Sequence, residues 1–187
     1  MINSIQGKII LIKDNYIVVE SHGVGYKIFV GTLTLELKEN QEYFLWTHQV
    51  VRENALELFG FKTITNLEMF QLLISISGIG PKVGLSIMDV TTAESLKRAV
   101  ITENTDELTK VSGIGKKNAQ KIIIELKNKV DKINVNSEDL SFDIEVYETL
   151  EALGFASPDI RETLKELENV EGDDKIKQAL KILGQKK

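Results

Sequence analysis

The chain has no cysteine, which excludes disulfides, thiolate metal sites and cysteine nucleophiles. Histidine occurs only at positions 22 and 48, too sparse for an imidazole metal centre, so His22 and His48 read as ordinary turn and strand residues. Hydrophobic residues make up 42% of the chain, yet no apolar run approaches the roughly 18 residues a membrane span needs. The opening Met1-Ile2-Asn3-Ser4-Ile5 lacks the basic flank and small-residue cleavage site of a signal peptide, so a cytoplasmic location is expected. A Walker phosphate loop is missing too, because neither lysine-bearing glycine turn runs on into the required Ser/Thr. No metal and no cofactor are expected.

At 187 residues the chain has room for two or three compact units. Its net charge of −5 looks wrong for a nucleic-acid binder until the distribution is examined. Residues 1–62 hold six Lys/Arg against seven Asp/Glu, residues 63–130 nine against seven, and residues 131–187 eight against fourteen. The middle is therefore the electrostatic candidate for phosphate, and the acidic last part would be repelled by it. Within the middle, Lys116, Lys117, Lys121, Lys127 and Lys129 stand against Glu125 alone.

Residues 1–62 alternate β-branched and aromatic runs with turn residues, which predicts five strands near 6–12, 16–20, 24–30, 42–50 and 55–61. Asp14-Asn15 and Arg52-Glu53-Asn54 sit at tight turns, and Gly23 and Gly25 would permit a bulge or sharp bend. Five antiparallel strands in so short a span suggest a small barrel of the oligonucleotide-binding (OB) type, with an SH3-like barrel as competitor. From Thr65 the spacing turns helical, with Leu67, Phe70, Leu73 and Ile74 three and four apart. Further helices are expected over 81–88, 92–103, 106–110 and 116–129, with Thr92 as an N-cap and Pro81 at a first helical position. Asp131 to Ser141 is polar and aperiodic and reads as a tether, reaching roughly 35 to 40 Å if extended. Beyond it, amphipathic stretches over 145–153, 157–169 and 173–183 predict a three-helix bundle over residues 142–187.

The strongest signal is a duplication. Ser77-Gly78-Ile79-Gly80-Pro81-Lys82 and Ser112-Gly113-Ile114-Gly115-Lys116-Lys117 agree at five of six positions, 35 residues apart from Gly78 to Gly113. Leu73 corresponds to Leu108, Ile76 to Val111, Gly84 to Ala119 and Ile87 to Ile122. Each copy ends one helix, turns and opens another. The first glycine supplies a backbone shape costly for other residues, and Ile79 or Ile114 plugs inward. The second glycine leaves the backbone uncovered where free N–H groups and the positive helix end face outward, a phosphate site without base preference. Lys82, Lys116 and Lys117 add mobile charge, and Lys121, one turn beyond Lys117, reads either as another phosphate ligand or as a solvated lysine.

Blander readings compete at several positions. One Ser-Gly-Ile-Gly is an ordinary helix C-cap, but two copies with lysines are not accounted for that way. A dinucleotide reading of Gly78-x-Gly80-x-x-x-Gly84 meets the difficulty that the stretch before it has helical spacing. Tyr43 and Trp46 can stack on bases, although alternating strand aromatics are more often core.

In order and spacing these pieces resemble the RuvA family of Holliday junction branch-migration proteins, over essentially the whole chain. The resemblance rests on Gly23-Val24-Gly25-Tyr26, on the stretch from Thr47 to Ala55 followed by Phe59-Gly60-Phe61, and on the two glycine hairpins. It implies a multidomain α+β protein: an OB-type five-stranded barrel (1–62), a tandem helix-hairpin-helix domain (63–130), a linker (131–141) and a three-helix, ubiquitin-associated-like bundle (142–187). It further implies a homotetramer, alone or as paired tetramers, that holds a four-way DNA junction open, recruits the RuvB ATPase through the bundle and works beside the RuvC resolvase. Leu153-Gly154-Phe155 resembles the loop of such bundles, which makes Leu153 and Phe155 the candidates for motor binding. The family usually carries two adjacent acidic residues as a pin at the junction centre, where this chain has Glu53 followed by Asn54.

The function expected is thus a non-catalytic scaffold. A helix-hairpin-helix glycosylase or nuclease is the alternative. Lys116 can mimic a catalytic lysine, but residues 119–126 offer only Glu125 as an acid, and no carboxylate set for metal-assisted hydrolysis is evident.

Overall fold

The computed structural model describes residues 1–127, 129, 138–167, 170 and 173–185. Strands β1 (Ser4–Lys13), β2 (Tyr16–Ser21), β3 (Val24–Phe29), β4 (Glu42–Arg52) and β5 (Ala55–Phe61) form a closed barrel in the order β1-β2-β3-β5-β4. Neighbours pair antiparallel except β3 and β5, which run parallel with Ile28 opposite Leu58 and Phe29 opposite Phe59. This crossover decides for the OB-type barrel over the SH3-like alternative. Ile9, Ile17, Val19, Ile28, Leu45 and Leu58 point inward and fill the barrel.

The sharp bend expected near Gly23 is there. His22 (φ 52°) and Gly23 (φ 82°) both take left-handed conformations in a two-residue turn between β2 and β3, the hairpin geometry that matches strand twist. The register irregularity falls in β1, between Ile9 and Leu11, rather than at Gly25. The segment after β3, which carries no clear period, forms a 3-10 helix over Gly31–Glu36. Its start is held from afar: Asp89 accepts from the Thr32 amide at 2.9 Å and from the Thr32 hydroxyl at 3.1 Å.

The helices that follow are α1 (Ile64–Ile74), α2 (Pro81–Val90), α3 (Ala93–Ile101), α4 (Asp106–Thr109) and α5 (Lys116–Lys127). Thr92 caps α3 by accepting from the Ser95 amide, and Pro81 occupies the first turn of α2, both as expected. Thr63 caps α1 in the same way through the Asn66 amide. Met69, Leu73, Ile76, Ile87, Leu96, Val100, Leu108, Ile122 and Leu126 share one core between the two hairpins. A second core of Phe59, Phe61, Leu67, Phe70 and Leu85 joins α1 and α2 to the outside of the barrel. Trp46 and Tyr43 belong to packing: Trp46 lies against this joint and Tyr43 against the barrel core.

The last helices are α6 (Glu138–Ala152), α7 (Ser157–Glu166) and α8 (Asp173–Gln185), around Val146, Tyr147, Leu150, Ile160, Ala179 and Leu183. Helix α6 begins seven residues before the expected Glu145, so Glu138 to Ser141 are helix and not tether. Residues 131–137 of the expected tether, and Asn169 at the expected end of the second bundle helix, lie outside the described residues. Ile101, at the end of α3, packs against the bundle core, so the bundle rests on the hairpin unit at this point.

Candidate nucleic-acid interface

The two glycine turns have matching geometry. Gly78 (φ 94°) and Gly113 (φ 87°) lie in the left-handed region, where a side chain is strained. The Ile79 amide donates to Ile76 O and the Ile114 amide to Val111 O, each at 3.0 Å. One turn on, the Gly84 amide donates to Gly80 O at 2.9 Å and the Ala119 amide to Gly115 O at 3.0 Å. Ile114 is buried in the shared core, and Ile79 is partly buried against it, so both act as the inward plugs expected. The small residues allow close approach: a Cβ on Gly84 would stand 3.0 Å from Ile74 Cγ2, and Ala119 is fully buried.

Gly80 and Gly115 serve differently from Gly78 and Gly113. Gly80 caps α2 with ordinary extended geometry (φ −81°, ψ 166°), and a Cβ at Gly80 or Gly115 would meet nothing within 4 Å. A larger residue there would not strain the turn. It would instead fill the open space in front of the first-turn amides, which have no intrahelical acceptor. Two helix starts with uncovered amides, each carrying the positive dipole end, therefore stand 35 residues apart in sequence, from Gly78 to Gly113, on one shared core.

The lysines divide. The side-chain ammonium groups of Lys82, Lys116 and Lys117 have no ion-pair or hydrogen-bond partner among the described residues. Lys121 reaches across to the first hairpin, donating to Ser77 O at 2.9 Å, and lies 3.7 Å from Glu125. Lys129 donates to Ser75 Oγ at 3.1 Å. Lys127 pairs with Glu103 at 2.6 Å, a hydrogen bond that raises its pKa. Lys121 is thus engaged within the protein, a contact that sequence spacing could not disclose because Ser77 is 44 positions away.

Glu53 and Asn54 form the exposed tip of the β4–β5 hairpin, between the paired Arg52 and Ala55. Val51 and Leu56 pair directly behind the tip and are 68% and 73% exposed, an apolar collar beneath one carboxylate. Glu57 does not add to the tip. It is half-buried, and its Oε2 is buried without a hydrogen-bond partner among the described residues.

In the bundle, Gly154 (φ 86°) ends α6; Leu153 is 57% exposed, while Phe155 packs partly buried against the bundle core. His48 stands with its ring edge-on to Phe70, 5.7 Å between centroids, and its Nδ1 3.3 Å from Gln71 Nε2. Burial lowers its pKa. Neither histidine joins a cluster of three or more metal-ligating side chains among the described residues. No described helix is long and apolar enough to cross a membrane.

Comparison with known sequences bears directly on these features. The family described as RuvA N terminal domain matches residues 1–60, and the SAM-like helix-hairpin-helix tandem matches residues 70–128. A Clostridium perfringens protein named Holliday junction branch migration complex subunit RuvA is 37% identical over 200 aligned residues, covering 98% of this chain and 99% of the relative. Proteins of the same name from a Thermoanaerobacter species and from Clostridium beijerinckii are 38% and 35% identical, with the same coverage. With such identity running end to end through both the barrel and the paired hairpins, the chain belongs to the RuvA family.

Proposed function

We propose that this chain is the subunit of a branch-migration complex that binds four-way junction DNA, gripping duplex arms through phosphate contacts at Gly78-Ile79-Gly80 and Gly113-Ile114-Gly115. The observation that carries the reading is the pair of open helix starts at Gly80 and Gly115, in matching geometry, each beside lysines whose ammonium groups have no partner among the described residues. Gly78, Gly113, Ile79 and Ile114 shape the turns. Amides and the ammonium groups of Lys82, Lys116 and Lys117 are the phosphate ligands. Such contacts carry no base information and weaken steeply with salt.

Its units are the barrel (1–62), the hairpin domain (63–130) and the bundle, with the helical start of α6 moving the bundle's first residue to about 138. The chain itself performs no covalent chemistry: it works in the cytoplasm as a homotetramer, alone or face to face with a second one. Glu53 and Asn54 stand near the junction centre, the bundle engages the RuvB ATPase through Leu153 and its neighbours, and the RuvC nuclease acts on the same junction. The competing repair-enzyme reading is disfavoured. Its candidate acid, Glu125, sits beside Lys121 and not in the turn, and the full-length relatives carry a branch-migration name.

The test is a gel-shift comparison of a four-way junction with a linear duplex of equal length, on protein of known oligomeric state. The expected result is preferred binding of the junction by a tetramer, at affinities independent of arm sequence. Equal affinity for both DNAs would contradict the proposal.

A further inference from the structure

Two lysines of the α5 region do not wait at the surface for a ligand. Lys121 Nζ donates to the carbonyl of Ser77, the residue immediately before Gly78, and Lys129 Nζ donates to Ser75 Oγ at the end of α1. Both contacts run from the second hairpin's helix to the first hairpin's entrance. The duplication does not mirror them. In the first copy the position matching Lys121 is Ser86, whose hydroxyl folds back onto Lys82 O at 3.0 Å. The position matching Ser75 is Lys110, which pairs with Glu107 at 2.7 Å. The brace is therefore an asymmetric addition to a two-fold repeat.

We infer that Lys121 is a positioning residue that pins the first hairpin against the second, fixing the spacing at which Gly80 and Gly115 present their amides to one duplex. The inference rests on the reading that both hairpins hold phosphate. Two weak sites on one rigid ligand reinforce each other most when their spacing is held, because otherwise part of the binding energy goes into ordering one site relative to the other. A carbonyl is a suitable anchor, since an ammonium group has three donors and no acceptor. One donor goes to Ser77 O, while Glu125 at 3.7 Å holds the side chain on the same face of α5. Lys129, bonded to Ser75 Oγ, closes the same seam at the other end of the turn.

Phosphate ligation and positioning make different marks on binding. For full-length protein and a four-way junction, Lys117→Gln removes a phosphate ligand and lowers the magnitude of the salt slope by about one. Lys121→Gln is expected to weaken binding roughly three- to ten-fold while leaving the slope close to that of the parent. In a Gly80→Val background the penalty of Lys121→Gln should vanish, because the placement of a disabled hairpin no longer matters. Lys129→Gln should repeat the pattern in weaker form, and amide exchange should quicken at the hydrogen-bonded Ile79 and Gly84 but not at Ile114 and Ala119 in both single variants. A slope reduced by about one in Lys121→Gln would make Lys121 a phosphate ligand and overturn the brace. So would an undiminished penalty in the Gly80→Val background. If Gly80→Val alone leaves junction affinity intact, the hairpin reading itself falls and takes the brace with it.

Discussion

Phe70 of α1 lies stacked on Phe59 of β5, ring centroids 5.4 Å apart and 28° from parallel. Both rings are fully buried, Phe61 closes on Phe70 from a second side at 4.8 Å, and His48 meets its edge. This aromatic joint is how the barrel, with its tip at Glu53-Asn54, is held at a set angle to the paired hairpins. Phe70→Ala removes the shared ring from all three contacts and is expected to cost about 3 to 5 kcal/mol in urea unfolding. A loss below about 1 kcal/mol would mean that the two units are joined by something else.

His48 makes the same joint sensitive to pH. Burial holds its pKa below the ordinary 6.5, and the Gln71 amide nitrogen faces Nδ1, which accepts only while unprotonated. A base whose folded pKa is depressed binds fewer protons folded than unfolded, so stability is full above 6.5 and declines as pH falls from there toward the folded pKa. Melting temperature should therefore drop as pH is lowered below 6.5, and the drop should shrink in His48→Gln. An identical pH profile in the two proteins would remove His48 from the joint.

Much of this was legible in the chain. Five strands followed from alternation, and the hairpins followed from a six-residue repeat whose glycines have a mechanical reason to be there. Local signals cannot report partners distant in sequence. Asp89 caps the 3-10 helix at Thr32 from 57 positions away, and Lys121 reaches Ser77 from 44. Spacing alone leaves Lys121, one turn beyond Lys117, open between a phosphate ligand and a solvated lysine, and only the fold reveals that its ammonium is engaged. The start of α6 is hidden for another reason: in a sequence, consecutive acidic residues suit a helix N-terminus and a solvated loop equally well.

At the hairpin tip, one carboxylate stands where the family usually has two. Asn54 is uncharged and suits a tight turn, whereas a carboxylate repels a phosphate within roughly 8 to 10 Å at ordinary ionic strength. Asn54→Asp should sharpen the preference for junction over duplex and Glu53→Gln should blunt it. Both residues are exposed, so neither change should alter stability by more than about 0.5 kcal/mol. The effects should shrink as salt rises. Unchanged affinity ratios at low salt would deny the tip an electrostatic role.

Removing the acidic bundle tests the division of labour. Truncation after Val130 leaves the barrel and hairpin cores whole, since each is closed within residues 1–126. Junction binding should persist, while stimulation of the motor ATPase should be lost. Because Ile101 packs on the bundle, it becomes bare on truncation, and Ile101→Thr should improve the solubility of the shortened protein. Motor stimulation by the truncated chain would show that the bundle is not the recruiting element.

The most direct measurement is junction affinity of the Gly80→Val, Gly115→Val double variant. Both positions have open space where a side chain would go and lie outside the left-handed region, so the protein should fold as the parent does. The new side chains would cover both sets of amides. At about 1.5 kcal/mol for each charged hydrogen-bond site, affinity should fall on the order of a hundred-fold at every salt concentration. A folded double variant that binds the four-way junction as tightly as the parent would contradict the assignment of the two hairpins as the DNA grip.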